Sequence, residues 1–84
     1  MTYEVFVSPE ARADLYKLST ELKKRIKRKL KGLQENPQRY IKWIKQFSLY
    51  RLRVGDYRVF IQLDEQAKII YVVTVLHRRV AYSR

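Results

Sequence analysis

The sequence contains no cysteine, and this absence excludes a disulfide framework, a thiolate nucleophile and any zinc or iron–sulfur site with cysteine ligands. His77 is the only histidine, so a nuclease that works through a pair of histidines is also excluded. There are only two glycines and two prolines, while 46% of the residues are hydrophobic. Because this is not the composition of a disordered or low-complexity chain, we expect it to fold around a small core.

Long hydrophobic runs are also missing. No segment approaches the roughly 20 apolar residues that span a bilayer, and the first residues lack the basic-then-apolar order of a signal peptide. The length of 84 residues predicts one domain, covering residues 1–84. We therefore expect a protein of the cytoplasm that has no membrane partner.

Acidic residues are scarce, since eight Asp and Glu stand against nineteen Lys and Arg, which gives a net charge of +11. The acidic residues lie singly at expected helix starts, strand ends and turns, without the paired carboxylates of a two-metal nuclease. We therefore expect neither a metal site nor a cofactor. So high a charge on so small a body attracts polyanions, with nucleic acid first, an anionic membrane second and an acidic protein third.

The amino-terminal half predicts a strand followed by a helical hairpin. Residues 3–7 are β-branched and aromatic, and Ser8-Pro9 then supplies an N-cap and a proline suited to the first helical turn. Ser19 repeats the cap signal and begins a second helix, which Asn36-Pro37 ends. Basic residues occupy most of this helix, whose expected buried stripe comprises Leu22, Ile26, Leu30 and Leu33.

The carboxy-terminal half predicts strands. The sequence assigns no conformation to residues 38–47, although Trp43 is expected to pack on the core. Strands are expected at 49–54, 57–63 and 69–76, with the last at the centre of the sheet and a polar tail after it. The expected fold is α+β, with a helical hairpin packed on a small, mostly antiparallel four-stranded sheet in the order β-α-α-β-β-β.

A Gly55-Asp56 turn would place several arginines on one face of this sheet. A two-residue turn sets Arg53 opposite Arg58 and Arg51 opposite Phe60. Like charges that face each other cost about 0.2–1 kcal/mol, so the Arg53–Arg58 pair is a conflict typical of a functional site. One interpretation of these arginines is a phosphate-binding site, because guanidinium groups bind phosphates well. The other is a solvated sheet face whose charges prevent aggregation between sheet edges. We call this surface the arginine face; it comprises Arg51, Arg53, Arg58, Phe60 and Gln62.

The remaining candidates have two interpretations each. His77 either takes part in catalysis or is a surface histidine, and Tyr82 either stacks on a base or anchors the tail. The basic helix face is either only solvated or contacts nucleic acid. Outside the arginine face, Arg78 adjoins the expected site, and the candidate RNA-binding residues are Lys23, Lys27, Lys45 and Arg79.

The hairpin run Tyr50-Arg51-Leu52-Arg53-Val54-Gly55-Asp56-Tyr57-Arg58, followed after a strand by residues 75–82, resembles the RelE toxins of the RelE/ParE superfamily. The similarity extends over the whole chain and is less specific in the amino-terminal half. It implies a bacterial or archaeal toxin that cleaves mRNA in the ribosomal A site without a metal. It also implies three partners: the ribosome with its rRNA, mRNA, and an acidic antitoxin that wraps around the toxin.

The resemblance also implies roles for individual residues. Arg58 matches the sheet arginine that contacts the scissile phosphate, Arg78 matches an arginine just past the last strand, and Tyr82 matches a tyrosine that orients the mRNA. Arg51 and Arg53 match basic positions of the preceding strand.

The general base is left open by the sequence. Studied family members carry lysines in the strand before the turn, one of them proposed as the base, where this chain has Leu49 or Arg51. An arginine stays protonated at neutral pH and is a poor proton acceptor. The candidates are therefore Lys45, His77 or groups of the ribosome.

Two other functions compete with the endonuclease. The first is a ParE-like toxin that acts on DNA gyrase by protein binding, which the arginine-bearing hairpin with Arg78 and Tyr82 disfavours. The second is a non-enzymatic basic module that binds rRNA or DNA.

Overall fold

Two helices cover one face of a five-stranded sheet in the computed structural model, which describes residues 2–81. The strand order is β1-β5-β4-β3-β2, with β1 parallel to β5 and every other neighbouring pair antiparallel. Within the described residues, no helix is long and apolar enough to cross a membrane. The elements are β1 (Glu4–Val7), α1 (Pro9–Tyr16), α2 (Thr20–Leu33), a 3₁₀ turn (Pro37–Arg39), β2 (Lys42–Ile44), β3 (Leu49–Val54), β4 (Tyr57–Asp64), β5 (Ile69–His77) and α3 (Arg78–Ala81).

The α+β class and the order of the main elements are confirmed, and the strand count is one higher than expected. The additional strand is β2, which lies in the segment 38–47 and pairs with β3 at the edge of the sheet. A strand of three residues is too short for a two-residue period to be recognised in the sequence.

Both predicted helix caps are present. Ser8 Oγ accepts a hydrogen bond from Ala11 N at 3.0 Å, and Ser19 Oγ accepts one from Leu22 N at 3.2 Å. The Ser8 hydroxyl also donates to the carbonyl of Val73 at 2.7 Å, so the cap ties the start of α1 to β5. Each cap satisfies a backbone donor that the helix itself leaves unpaired.

The core lies between α2 and the sheet. Ile26 and Leu33 are 1% exposed, and Leu30 is also buried, as the apolar stripe predicted, whereas Leu22 is only half-buried. Each fully buried Leu, Ile or Val side chain contributes about 1.5–3 kcal/mol to folding. The sheet side of the core is formed by Leu52, Val54, Val59, Ile61, Ile70, Val72 and Val75.

The strand β5 lies inside the sheet but is not its middle strand, which is β4. The pairing of β1 with β5 ends at Val72, and α1 covers the backbone edge beyond it. There the Asp14 carboxylate accepts hydrogen bonds from Thr74 Oγ1 at 2.9 Å and from the Val75 amide at 3.0 Å. The expectation that β5 lies inside the sheet is therefore confirmed, since β1 and β4 flank it. The middle strand is β4 because β2 adds one strand at the opposite edge.

Two further expectations need correction. The expected polar tail is not wholly polar or solvated, since residues 78–81 form the helical turn α3, with Ala81 5% exposed. Trp43 is 51% exposed on the edge strand β2, where its ring meets that of Tyr50 edge-on at 5.0 Å. An edge strand has a neighbour on one side only, so a large side chain on it remains partly in solvent.

Candidate phosphate-binding site

The hairpin between β3 and β4 has the predicted register. Arg53 pairs with Arg58, Arg51 pairs with Phe60, and the Gly55-Asp56 turn connects the two strands. Gly55 has a φ of +58°, a conformation in which a residue with a side chain is strained. This glycine lets the turn follow the twist of its strands. Because side chains alternate along each strand, this register puts Arg51, Arg53 and Arg58 on one face of the sheet.

The edge strand adds a fourth basic residue. Lys42 of β2 lies opposite Arg51, so its Cα is in register with the strand that carries two arginines of the arginine face. The arrangement brings Lys42, Arg51 and Arg53 close together across β2 and β3. Lys42 and Arg53 are exposed, while Arg51 is half-buried.

Arg58 is buried, with only 2% of its surface exposed. Its Nη1 donates to the carbonyl oxygens of Gly55 and Tyr57, both at 2.9 Å. A buried guanidinium needs such acceptors, because an unpaired buried charge is strongly destabilising. The expectation of an exposed sheet face is thus wrong at Arg58, which is part of the packed structure.

Arg58 is one of several buried residues that lie outside the core beneath α1 and α2. The helical turn α3 packs against β4 and β5, and its Ala81 is buried outside the core that lies beneath α1 and α2. Phe60 is likewise 3% exposed and outside that core, and the Phe47 ring meets it edge-on at 5.6 Å. The arginine face therefore carries a small second core of its own.

The start of α3 is fixed beside the hairpin turn. The amide of Arg78 donates to the carbonyl of Asp56 at 2.7 Å, and the side chains of Arg78 and Arg79 are exposed. This bond places Arg78 next to the end of the hairpin that carries Arg53 and Arg58. The arrangement combines one arginine held by backbone carbonyls with exposed cations around it, which suits recognition of a phosphate.

Comparison with known proteins identifies the family. The family model described as the ParE toxin of type II toxin–antitoxin systems, parDE, matches residues 5–82. The chain belongs to this family. It is a toxin of the RelE/ParE superfamily of type II toxin–antitoxin systems. A comparison with curated proteins gives no match.

Solved structures of RelE toxins are similar to this toxin. The toxin–antitoxin complex RelBE2 from Mycobacterium tuberculosis includes a chain with a TM-score of 0.84 and 25% identity, covering 93% of this toxin and 100% of that chain. A chain of the archaeal RelE–RelB complex from Pyrococcus horikoshii has a TM-score of 0.80 and 25% identity, covering 93% of this toxin and 97% of that chain. A chain of the RelB–RelE complex from Methanococcus jannaschii has a TM-score of 0.72 and 30% identity, covering 92% of this toxin and 94% of that chain.

His77 does not share the arginine face of the toxin. It pairs in register with Tyr57, whose side chain packs against the core under the helices, and the two rings meet edge-on at 5.2 Å. The Nδ1 atom of His77 accepts a hydrogen bond from the Arg79 amide at 3.1 Å. The structure therefore places this candidate proton acceptor on the face opposite Arg51, Arg53 and Arg58.

The other predicted RNA-binding residues are also dispersed. Lys23 lies over the ring of Tyr16, 5.6 Å from its centroid, and with Lys27 it lines a groove between α2 and β1. Lys45 is exposed in the loop that connects β2 and β3. Tyr82 lies outside the described residues.

Sequence reasoning missed several basic residues near the arginine face. Arg28 and Lys29 of α2 line a groove together with Lys42, Arg51 and Arg53. The helical period shows that Arg28 and Lys29 lie on the other flank of α2 from Lys23 and Lys27. It does not show which flank faces β3, because that depends on how α2 packs on the sheet.

Proposed function

We propose that this toxin is a ribosome-dependent endoribonuclease that cleaves mRNA in the A site and needs no metal ion. The observation that supports it is the hairpin register, which groups Arg51, Arg53 and Arg58 on one face with Arg78 beside the turn. RNA carries its own nucleophile, the 2′-hydroxyl. A protein that aligns the backbone and stabilises negative charge at the phosphorus therefore promotes cleavage.

In the proposed reaction, O2′ forms a bond to phosphorus while the bond between phosphorus and O5′ breaks. The O2′ proton passes to a general base, and O5′ receives a proton as it leaves. Arg53 and Arg78 are exposed, so they contact the non-bridging phosphate oxygens first. Guanidinium groups stabilise the charge that builds on these oxygens without being consumed.

Arg58 has a positioning role in this proposal. Its two bonds to backbone carbonyls hold the end of the hairpin, against which the start of α3 is also bound. The direct contact with the scissile phosphate that the resemblance implies requires the Arg58 side chain or its surroundings to move, because the side chain is 2% exposed.

The toxin's own candidates for the general base are poorly placed for this reaction. His77 lies on the opposite face and its Nδ1 already accepts a hydrogen bond, while Lys45 stands in an exposed loop. Dependence on the ribosome follows naturally, since ribosomal groups would then align the mRNA and assist proton transfer. This requirement places the proposed activity in the cytoplasm.

We further propose an acidic antitoxin as the partner of this toxin. The similar solved toxins are found in complexes with RelB antitoxins, and a net charge of +11 favours an acidic partner. Such a partner would either cover Arg51, Arg53 and Arg58 or displace the segment that carries Arg78 and Tyr82. Both modes would block access to the phosphate site.

A second function is supported by the family description itself, which names ParE toxins. A toxin of that kind would act on DNA gyrase by protein binding. The comparisons do not separate the two activities, so the decisive test must report on both.

Mapping of transcript ends by primer extension after induction separates the two functions. New ends within translated codons support the endonuclease, whereas gyrase-dependent DNA damage without new ends supports the ParE-like function. Neither effect would support a non-enzymatic basic module. The variant Arg53→Ala should abolish the new ends, and Arg12→Ala is its control, since it removes the same charge from an exposed position on α1.

A further inference from the structure

A groove between α2 and the edge of the sheet is lined mainly by basic side chains. Its volume is about 460 Å³. Two of its cations come from α2, one from β2 and two from β3, so three separate elements contribute to it. The lining residues are Arg28, Lys29, Gly32, Leu33, Tyr40, Lys42, Arg51, Leu52 and Arg53.

The sheet edge explains why a groove forms here. The pairing of β2 with β3 ends where Lys42 meets Arg51, so residues 52–54 have no strand on that side among residues 2–81. One flank of α2 lies above this open edge and contributes Arg28 and Lys29. Helix, edge strand and open backbone together make a channel that is continuous with the arginine face, because Arg51 and Arg53 belong to both.

The chemistry of the lining favours a polyanion. Five cations line the groove and no carboxylate is among the lining residues, so the groove attracts negative charge from outside. The larger groove on the other flank of α2 differs, since lysines surround a mainly aliphatic floor that includes Val5, Val7 and Leu30. Two flanks of one helix thus present different chemistry.

Tyr40 adds an aromatic surface to the basic groove. It is 56% exposed, and the Arg39 guanidinium lies 5.7 Å from the centroid of its ring. Basic side chains interleaved with an exposed aromatic ring are the usual means by which proteins hold single-stranded nucleic acid. The lining of this groove is less apolar than that of the groove on the other flank of α2.

We propose that this groove binds the phosphate backbone of single-stranded RNA, with Arg28, Lys29 and Lys42 as phosphate ligands and Tyr40 stacking on a base. The choice of RNA as ligand rests on the proposed function. The bound strand extends from the arginine face along the open edge of β3, so the groove holds RNA on one side of the scissile phosphate. Its residues contribute affinity and leave the chemical step to the arginine face.

The test is the salt dependence of binding to a fluorescein-labelled oligouridylate, measured by fluorescence anisotropy without ribosomes. The groove variant carries Arg28→Ala, Lys29→Ala and Lys42→Ala. The control variant carries Lys17→Ala, Lys24→Ala and Lys31→Ala, which removes the same charge from positions outside the groove. All of these side chains are exposed, so unfolding temperatures should stay close to that of the wild type.

We expect the groove variant to lower the slope of log affinity against log salt by about 2, since each phosphate contact to a single strand contributes about 0.7. The control should change the slope by less than about 0.5, because its substitutions lie outside the groove and remove no direct phosphate contact. Tyr40→Leu should weaken binding about tenfold, and Tyr40→Phe should not, because a phenylalanine ring still stacks.

Equal slopes for the groove and control variants would overturn the proposal in favour of diffuse attraction, as would the absence of RNA binding by the wild type. Normal RNA binding by the groove variant together with lost antitoxin binding would assign the groove to the protein partner instead. The proposed nuclease function fails separately. Wild-type protein that binds RNA through the groove but produces no new transcript ends leaves the groove proposal standing.

Discussion

Replacement of Arg58 by alanine is the most informative single change in this toxin. The guanidinium Nη1 donates two hydrogen bonds of 2.9 Å to backbone carbonyls, and the side chain is 2% exposed. Hydrogen bonds to a charged group contribute about 1.5–3 kcal/mol each, and two bonds from one nitrogen contribute less than twice that. We expect Arg58→Ala to lower the free energy of unfolding by about 3 kcal/mol, out of the roughly 4–13 kcal/mol typical of this length.

This loss should be measurable as a fall of about 12–24 °C in unfolding temperature, because 1 kcal/mol corresponds to about 4–8 °C in a domain of this size. Growth inhibition should be lost as well, but instability alone could cause that loss. Arg58→Lys keeps the charge and can still form one hydrogen bond. We therefore expect it to lower the free energy of unfolding by only about 1–1.5 kcal/mol. Circular dichroism at matched protein concentration measures both variants.

Arg53→Ala is the matched control for Arg58→Ala. Arg53 is the direct cross-strand partner of Arg58, yet it is exposed, so its removal should change stability by no more than about 0.5 kcal/mol. We expect both alanine variants to lose toxicity, whereas only Arg58→Ala should lose stability. An unfolding temperature of Arg58→Ala within 2–3 °C of the wild type would refute the structural role of these bonds. Full toxicity of both variants at equal soluble expression would refute the site.

Three other changes test the framework of the site by urea unfolding. Gly55→Ala should cost about 1 kcal/mol, because an alanine at φ +58° is strained, and an unchanged urea midpoint would contradict the need for glycine in this turn. Asp14→Ala should cost about 2 kcal/mol, since the Val75 amide and a neighbouring hydroxyl lose their acceptor, and Asp14→Asn should recover part of it. Phe60→Ala should cost about 3–5 kcal/mol, whereas a cost below 1 kcal/mol would show that the second core contributes little.

The parts of the fold that were predicted correctly are those encoded locally. The caps at Ser8 and Ser19 need only a hydroxyl at the right position before an apolar period, and both are present in the structure. The register of the hairpin follows from a two-residue turn and the strict alternation of a strand, so the opposition of Arg53 and Arg58 was also predictable.

The parts that were not predicted depend on packing between distant segments. Arg58 is buried on a face that the alternation pattern marks only as polar, and nothing near Arg58 in the sequence signals this burial. The strand β2 has only three residues, and it is defined by its pairing with the edge of β3, which the sequence of residues 42–44 alone does not reveal. For the same reason Arg28 and Lys29 could not be selected from a helix that carries cations on both flanks.

The conflict between Arg53 and Arg58 is resolved by giving the two arginines different surroundings. Carbonyl oxygens of the turn carry partial negative charge, and their bonds to Nη1 stabilise the Arg58 cation inside the protein. Arg53 receives no such compensation from the turn and stays in solvent, where its charge is available to an external anion. Arg58 thereby holds the turn in place, and the turn in turn fixes the strand position of Arg53. A phosphate that binds Arg53 also relieves the repulsion between the pair, so ligand binding should stabilise the folded hairpin.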